Sequence, residues 1–102
     1  MEAYMGMIIQ MATGSDDLIK YGPNGFVPCD GRELSIKYEN ALFAILGNAF
    51  GGTYPNTFKL PDLRPKDSEG NVLKLEGGEI HNGVPYIPYF ICTRGIFPTP
   101  NY

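Results

Sequence analysis

The chain has 102 residues, is rich in Tyr, Phe, Gly and Pro, lacks Trp and carries a formal net charge of −3. That size predicts a single domain, residues 1–102, with a modest core, and the composition predicts short strands and many turns in place of a helical bundle. With no Lys/Arg cluster, no leader-like opening and no apolar run near the roughly 20 residues that cross a bilayer, the sequence argues against nucleic acid and membrane insertion and for synthesis in the cytoplasm.

Residues 5–12 (MGMIIQMA) are apolar and partly β-branched, and they end in a cluster of turn formers at 13–17, which predicts one strand and a loop. Residues 21–26 (YGPNGF) predict a turn, with Gly25 at positive φ. The run 26–29 (FVPC) reads as a short strand near a sheet edge, because Pro28 has no N–H for a ladder. Asp30-Gly31 signals a tight turn in which the carboxylate accepts from backbone N–H groups two residues on.

Ser35 stands where a helix N-cap is expected, and Tyr38, Ala41, Leu42, Ile45 and Leu46 follow at helical spacing. A helix over 36–46 is predicted, stopped by Gly47, with Lys37, Glu39 and Asn40 facing water. After Gly51-Gly52 comes irregular chain, then an extended piece at 58–60 closed by Pro61. Residues 65–71 (PKDSEGN) read as a mobile surface loop and 72–75 as a strand. The strongest β signal is 86–96 (YIPYFICTRGI), followed by a tail that two prolines keep extended.

The order C-D-G at 29–31, helix, then F-G-G-x-x-x-x-T-F-x-L-P-D-L-R at 50–64 resembles the phage tail-collar family, whose members occur in phage tail fibres and in related bacterial proteins. The run N-G-V-P-Y-I-P-Y-F-I-C at 82–92 resembles that family's closing strand. Phe26 stands where the family usually has Trp, and Pro65-Lys66 replaces its common Gly-Arg. The long middle segment of larger relatives is missing between Arg64 and Asn82, which points to a minimal structural or connector piece. The resemblance implies a structural motif of Cys29, Asp30, Gly31, Gly51, Gly52, Pro61, Asp62, Leu63 and Arg64, and a homotrimer, since fibres of this family resemble three-fold assemblies.

The residues offer little chemistry. Asp62 and Arg64, two apart, read as loop-holding charges that hydrogen-bond to backbone or to each other. Asp30, Glu33, Asp62 and Glu79 are the carboxylates from which a glycosidase pair would have to be drawn. His81 is the only histidine; it makes no site in one chain, but three copies on a trimer axis would form a metal candidate. Cys29 and Cys92 read as buried free thiols, with a bridge between them as the alternative. In the last strand, alternation puts Tyr89 and Ile91 on one face and Phe90 and Cys92 on the other, so one face is expected to meet the core and the other a sister chain. The contacts expected there are Tyr86, Tyr89, Ile91 and Phe97; the alternative is burial of both faces within one chain.

The expected fold is α+β, a small twisted antiparallel sheet of short strands with one packed helix and extensive irregular loops. The expected function is a non-enzymatic, cofactor-free component of a phage tail fibre or tail tip that supports host attachment. Its partners would be other tail proteins and a host-surface glycan, and its place the virion tail, after assembly in the host cytoplasm. The alternatives are a receptor- or glycan-binding module using Tyr side chains for stacking, a small hydrolase, and a bacterial relative without a virion.

Overall fold

The computed structural model describes residues 3–13, 15–73, 79–80, 84–85 and 87–99. The fold is α+β, with strands β1 (Ile8–Gln10), β2 (Phe26–Pro28), β3 (Glu33–Ser35), β4 (Thr57–Lys59), β5 (Glu79–Ile80), β6 (Val84–Pro85) and β7 (Tyr89–Cys92), and helices α1 (Asp16–Tyr21) and α2 (Asn40–Leu46). The strands form a three-stranded sheet in the order β1-β7-β2 and two pairs, β3-β4 and β5-β6. All of the pairing within these sheets is antiparallel.

The last strand lies in the middle. On one side β7 pairs Ile8↔Ile91 and Gln10↔Tyr89; on the other it pairs Phe26↔Cys92 and Pro28↔Phe90. Pro28 occupies the edge strand, and the ladder bonds on either side of it run from Cys29 N to Tyr89 O and from Thr93 N to Gly25 O. Its missing N–H therefore costs no bond, which is why proline is tolerated at this position.

The core lies between this sheet, the β3-β4 pair and α2. Ile91 and Cys29 come from the sheet side, Phe58 and Leu60 from β4 and its continuation, and Leu42 from α2. Val27, Leu34, Phe43, Leu46 and Tyr89 pack around them. Phe43 meets the fully buried Phe58 edge-on at 5.4 Å between ring centroids, a favoured aromatic geometry.

Several expectations are corrected. The described chain has two helices. Ser15 caps α1, its hydroxyl accepting from Leu18 N at 3.4 Å; Lys20 stands in the last turn, and Gly22 closes it. The second helix begins at Asn40, because Ser35 is held extended against Thr57 and residues 36–38 form a turn closed by Glu39 N to Ser35 O at 2.9 Å. Tyr38 is consequently 78% exposed and off the apolar stripe. Glu39 does not simply face water, since its carboxylate takes both ends of the Arg94 guanidinium at 2.9 and 3.0 Å.

Of residues 65–71, Pro65 is half-buried and the rest are exposed, but the segment is tied: Lys66 bridges Val72, and Asp67 accepts from Glu69 N and Asn71 N, both at 2.9 Å. The strand expected over 86–96 is shorter, because residues 93–95 bend before Ile96 bridges Tyr4. Lys74 and Leu75 of the expected 72–75 strand lie outside the described residues. Among the described residues no helix is long and apolar enough to cross a membrane.

Burial of β7 also overturns one expected contact residue. Ile91 is fully enclosed by its own chain, with Phe90 and Cys92 equally hidden on the opposite face, so Ile91 has no surface to offer a sister copy. The physical reason is the central position of β7, covered on one face by α2 and the β3-β4 pair. Ile91→Ala is expected to destabilise the chain by about 2–5 kcal/mol through the cavity it leaves. Urea denaturation at two protein concentrations checks this: the loss should be the same at both, whereas an interface residue would show a concentration-dependent one.

Candidate functional site

The β3-β4 register, Glu33↔Lys59 to Ser35↔Thr57, continues beyond the strands through Leu60 N to Arg32 O at 3.0 Å and ends in the bridge Asp30↔Asp62. Gly31 N donates to Pro61 O at 3.3 Å and Leu63 N to Cys29 O at 2.9 Å. The C-D-G and P-D-L-R corners, far apart in sequence, thus face each other across one end of a single ladder.

At this end the same device occurs twice. Asp30 Oδ1 accepts the backbone N–H of Arg32 at 3.2 Å and its Nε at 2.9 Å, while Oδ2 accepts Nη2 at 2.8 Å. Asp62 does the same with Arg64, at 3.2, 2.9 and 2.7 Å. Each Asp-x-Arg unit joins an Asx turn to a forked, charge-assisted pair. Two carboxylates on directly opposed residues would repel; here each carries its own guanidinium, and Lys66 Nζ adds a third cation 3.5 Å from Asp62.

Only one unit needs glycine. Gly31 has φ +75°, and a Cβ there would sit 3.2 Å from Asp62 Cβ and 3.3 Å from Oδ2. The equivalent position in the other unit is Leu63, which is 37% exposed. Gly52 serves the neighbouring loop: at φ +115°, a Cβ would fall 2.5 Å from Phe58 Cα. Its bare backbone lets the chain lie directly on β4, and the adjacent Gly51 O accepts Lys59 N at 3.0 Å.

The clasp also holds α1. Arg32 Nη2 donates to Lys20 O at 3.1 Å, satisfying a carbonyl in the last turn of that helix. Beside it Ile19, Pro28, Cys29, Asp30, Arg64, Pro88 and Tyr89 line a cleft of about 180 Å³.

Electrostatics fix the protonation states. Partial burial pushes the Asp30 carboxyl up, but the Arg32 hydrogen bonds and charge, together with Arg64, leave it below the usual range. For Asp62 the Arg64 side-chain bond dominates, burial opposes it, and the result lies well below the usual carboxylate value. Burial, assisted by the Asp30 charge, pushes the Cys29 thiol up to about 11. Glycosidic chemistry requires one carboxyl kept protonated near neutral pH, and the two that meet here are both driven to the ionised form. Glu33 lies elsewhere on the ladder, accepting the Thr57 hydroxyl.

Of the other residues singled out by their sequence context, Pro61 is buried, Tyr89 is half-buried against the core and Phe97 is 49% exposed. Cys29 and Cys92 are buried free thiols. Tyr86 and His81 lie outside the described residues. Among the described residues no group of His, Cys, Asp and Glu has the arrangement of a metal site. Arg32 was missed, although the repeated D-x-R spacing at 30–32 and 62–64 was its signal.

The family model described as Phage Tail Collar Domain matches residues 6–67, more than half of the chain. No curated protein and no solved structure matches this chain.

Arg64→Ala is expected to cost about 1–2 kcal/mol at neutral pH, between the values for exposed and buried pairs. The carboxyl values are lowered in the folded state. The stability they confer is therefore complete above the unfolded value of about 3.9 and lost as pH falls through the folded ones. Urea midpoints taken from about pH 7 to pH 2 should decline on the acid side, and less steeply in Arg64→Ala.

Proposed function

Because the chain belongs to the phage tail collar domain family, we propose that it is a non-enzymatic structural piece of a bacteriophage tail fibre or tail tip. It is assembled in the host cytoplasm into the virion tail, joins other tail proteins there and supports host attachment. The observation that carries this reading is the coincidence of the family match with the clasp: residues 6–67 span both Asp-x-Arg units, and their charged groups hold backbone corners and the end of α1. Such a design favours rigidity over turnover.

The copies are homotrimeric in this proposal, with contacts moved from Ile91 to the surface where the two ends of the described chain meet. Tyr4 bridges Ile96, and Met5 N donates to Ile96 O at 2.8 Å. Around that junction Tyr4, Met7, Ile8, Ile96 and Phe97 are each between 41% and 56% exposed. Tyr4, Ile96, Phe97, Pro98 and Thr99 border an open depression of about 380 Å³. Apolar area of this kind, repeated around an axis, is what a cyclic assembly buries.

Native mass spectrometry of the purified chain is expected to give a trimer, and Phe97→Asp to give a monomer with unchanged circular dichroism. A monomeric wild type at every concentration would overturn the assembly. Immunogold labelling that misses the tails of virions would overturn the location.

A further inference from the structure

Three tyrosine rings that stand well clear of the surface differ in what covers them. Tyr21 and Tyr38 are each capped by the preceding lysine, with Lys20 Nζ 5.2 Å and Lys37 Nζ 5.6 Å from the ring centroids. Tyr54, 69% exposed, carries no such cation among the described residues. It is held from behind instead. Its ring stacks on Phe43 at 6.2 Å and 29°, and Phe43 leans edge-on against the buried Phe58. This chain of three rings anchors the Tyr54 ring to the core and leaves its outer side presented.

A carboxylate of β3, that of Glu33, is held against the turn that carries Tyr54. Residues 53–57 close through Asn56 N and Thr57 N, both bonded to Thr53 O at 2.8 Å. The Thr57 hydroxyl accepts Thr53 N at 2.9 Å and donates to Glu33 Oε2 at 2.8 Å. Lys59 is the cross-strand partner of Glu33, yet among the described residues no ion pair neutralises this carboxylate. An anchored aromatic face and a carboxylate without an ion pair therefore meet at one short turn.

Both features attract a cation, the ring through its quadrupole and the carboxylate through charge. A guanidinium suits them best, since its plane stacks on an aromatic while its fork bonds a carboxylate. We propose that Tyr54 and Glu33 form a docking point for an arginine side chain of a partner protein. The net charge of −3 on the chain favours a partner basic at the contact.

The test is an NMR titration of the whole chain with N-acetyl-arginine amide. Saturable shifts are expected at the amides of Glu33, Thr53, Tyr54, Asn56 and Thr57, weakening with added salt. Glu33→Gln, which keeps an acceptor for Thr57, should bind about tenfold more weakly, and so should Tyr54→Ala; Tyr54→Phe, which keeps the ring, should bind as the wild type does. Absence of saturable shifts at these amides in the wild type would overturn the proposal. So would maltose shifting the same amides with no effect of Glu33→Gln, the mark of a carbohydrate-stacking face. Oligomeric state does not enter the readout, so failure here leaves the proposed assembly untouched, and failure of the assembly leaves this site untouched.

Discussion

The structure depends on β7 lying between two strands that never pair with each other. β1 and β2 come from the first third of the chain, and each finds its ladder partners only in residues 89–92. Isolated short strands are marginal in water and need at least a third strand or a packed face for stability. Ile91 supplies part of that face, together with Phe58, Leu42, Leu60 and Cys29. The sheet and the core it bounds are therefore non-local features, and neither can close before residues 89–92 are in place.

The Asp-x-Arg clasp solves a different problem. Short strands leave corners whose backbone groups must find partners away from regular ladders. By letting each aspartate bond the amide and the guanidinium of the residue two positions on, the chain rigidifies both corners with local contacts. One of the arginines then reaches Lys20 O and secures α1. The arrangement is only partly buried, so it avoids the large desolvation cost of enclosed ion pairs. The same pairing that makes it a good fastener makes it a poor acid catalyst, because both carboxyls are held ionised.

The legible parts of the sequence were those governed by local steric rules. The Gly47 stop, the Pro28 edge and the Asx turn at Asp30 rest on backbone geometry that few residues allow, and each is found in the fold. Where tertiary pairing competes with local preference, the reading failed. Ser35 has the character of a helix cap, but its pairing with Thr57 keeps it in a strand and shifts the helix start to Asn40. Residues 15–22 carry a cap, a basic last turn and a terminal glycine, yet six helical residues give too little periodicity to stand out beside turn formers. The two-faced apolar pattern of β7 was ambiguous for a further reason: burial on both sides within one chain and burial of one side by a sister copy demand the same alternation. Arg32 escaped notice because a single D-x-R spacing says nothing; its meaning comes from the second copy that the ladder sets beside it.

That ladder also explains how a chain of this size keeps a defined shape with so little regular structure. From Asp30 to Ser35 on one side and Thr57 to Asp62 on the other, one register governs every pairing. A one-residue slip of the β3 side would turn Leu34 away from the core, separate the two aspartates from their opposed positions and bring a Cβ-bearing residue to the place of Gly31. Each penalty falls on a different kind of interaction: apolar burial, charge pairing and backbone sterics. The register is specified three times over, and the two corners that resemble one family in sequence close the end of the element that enforces it.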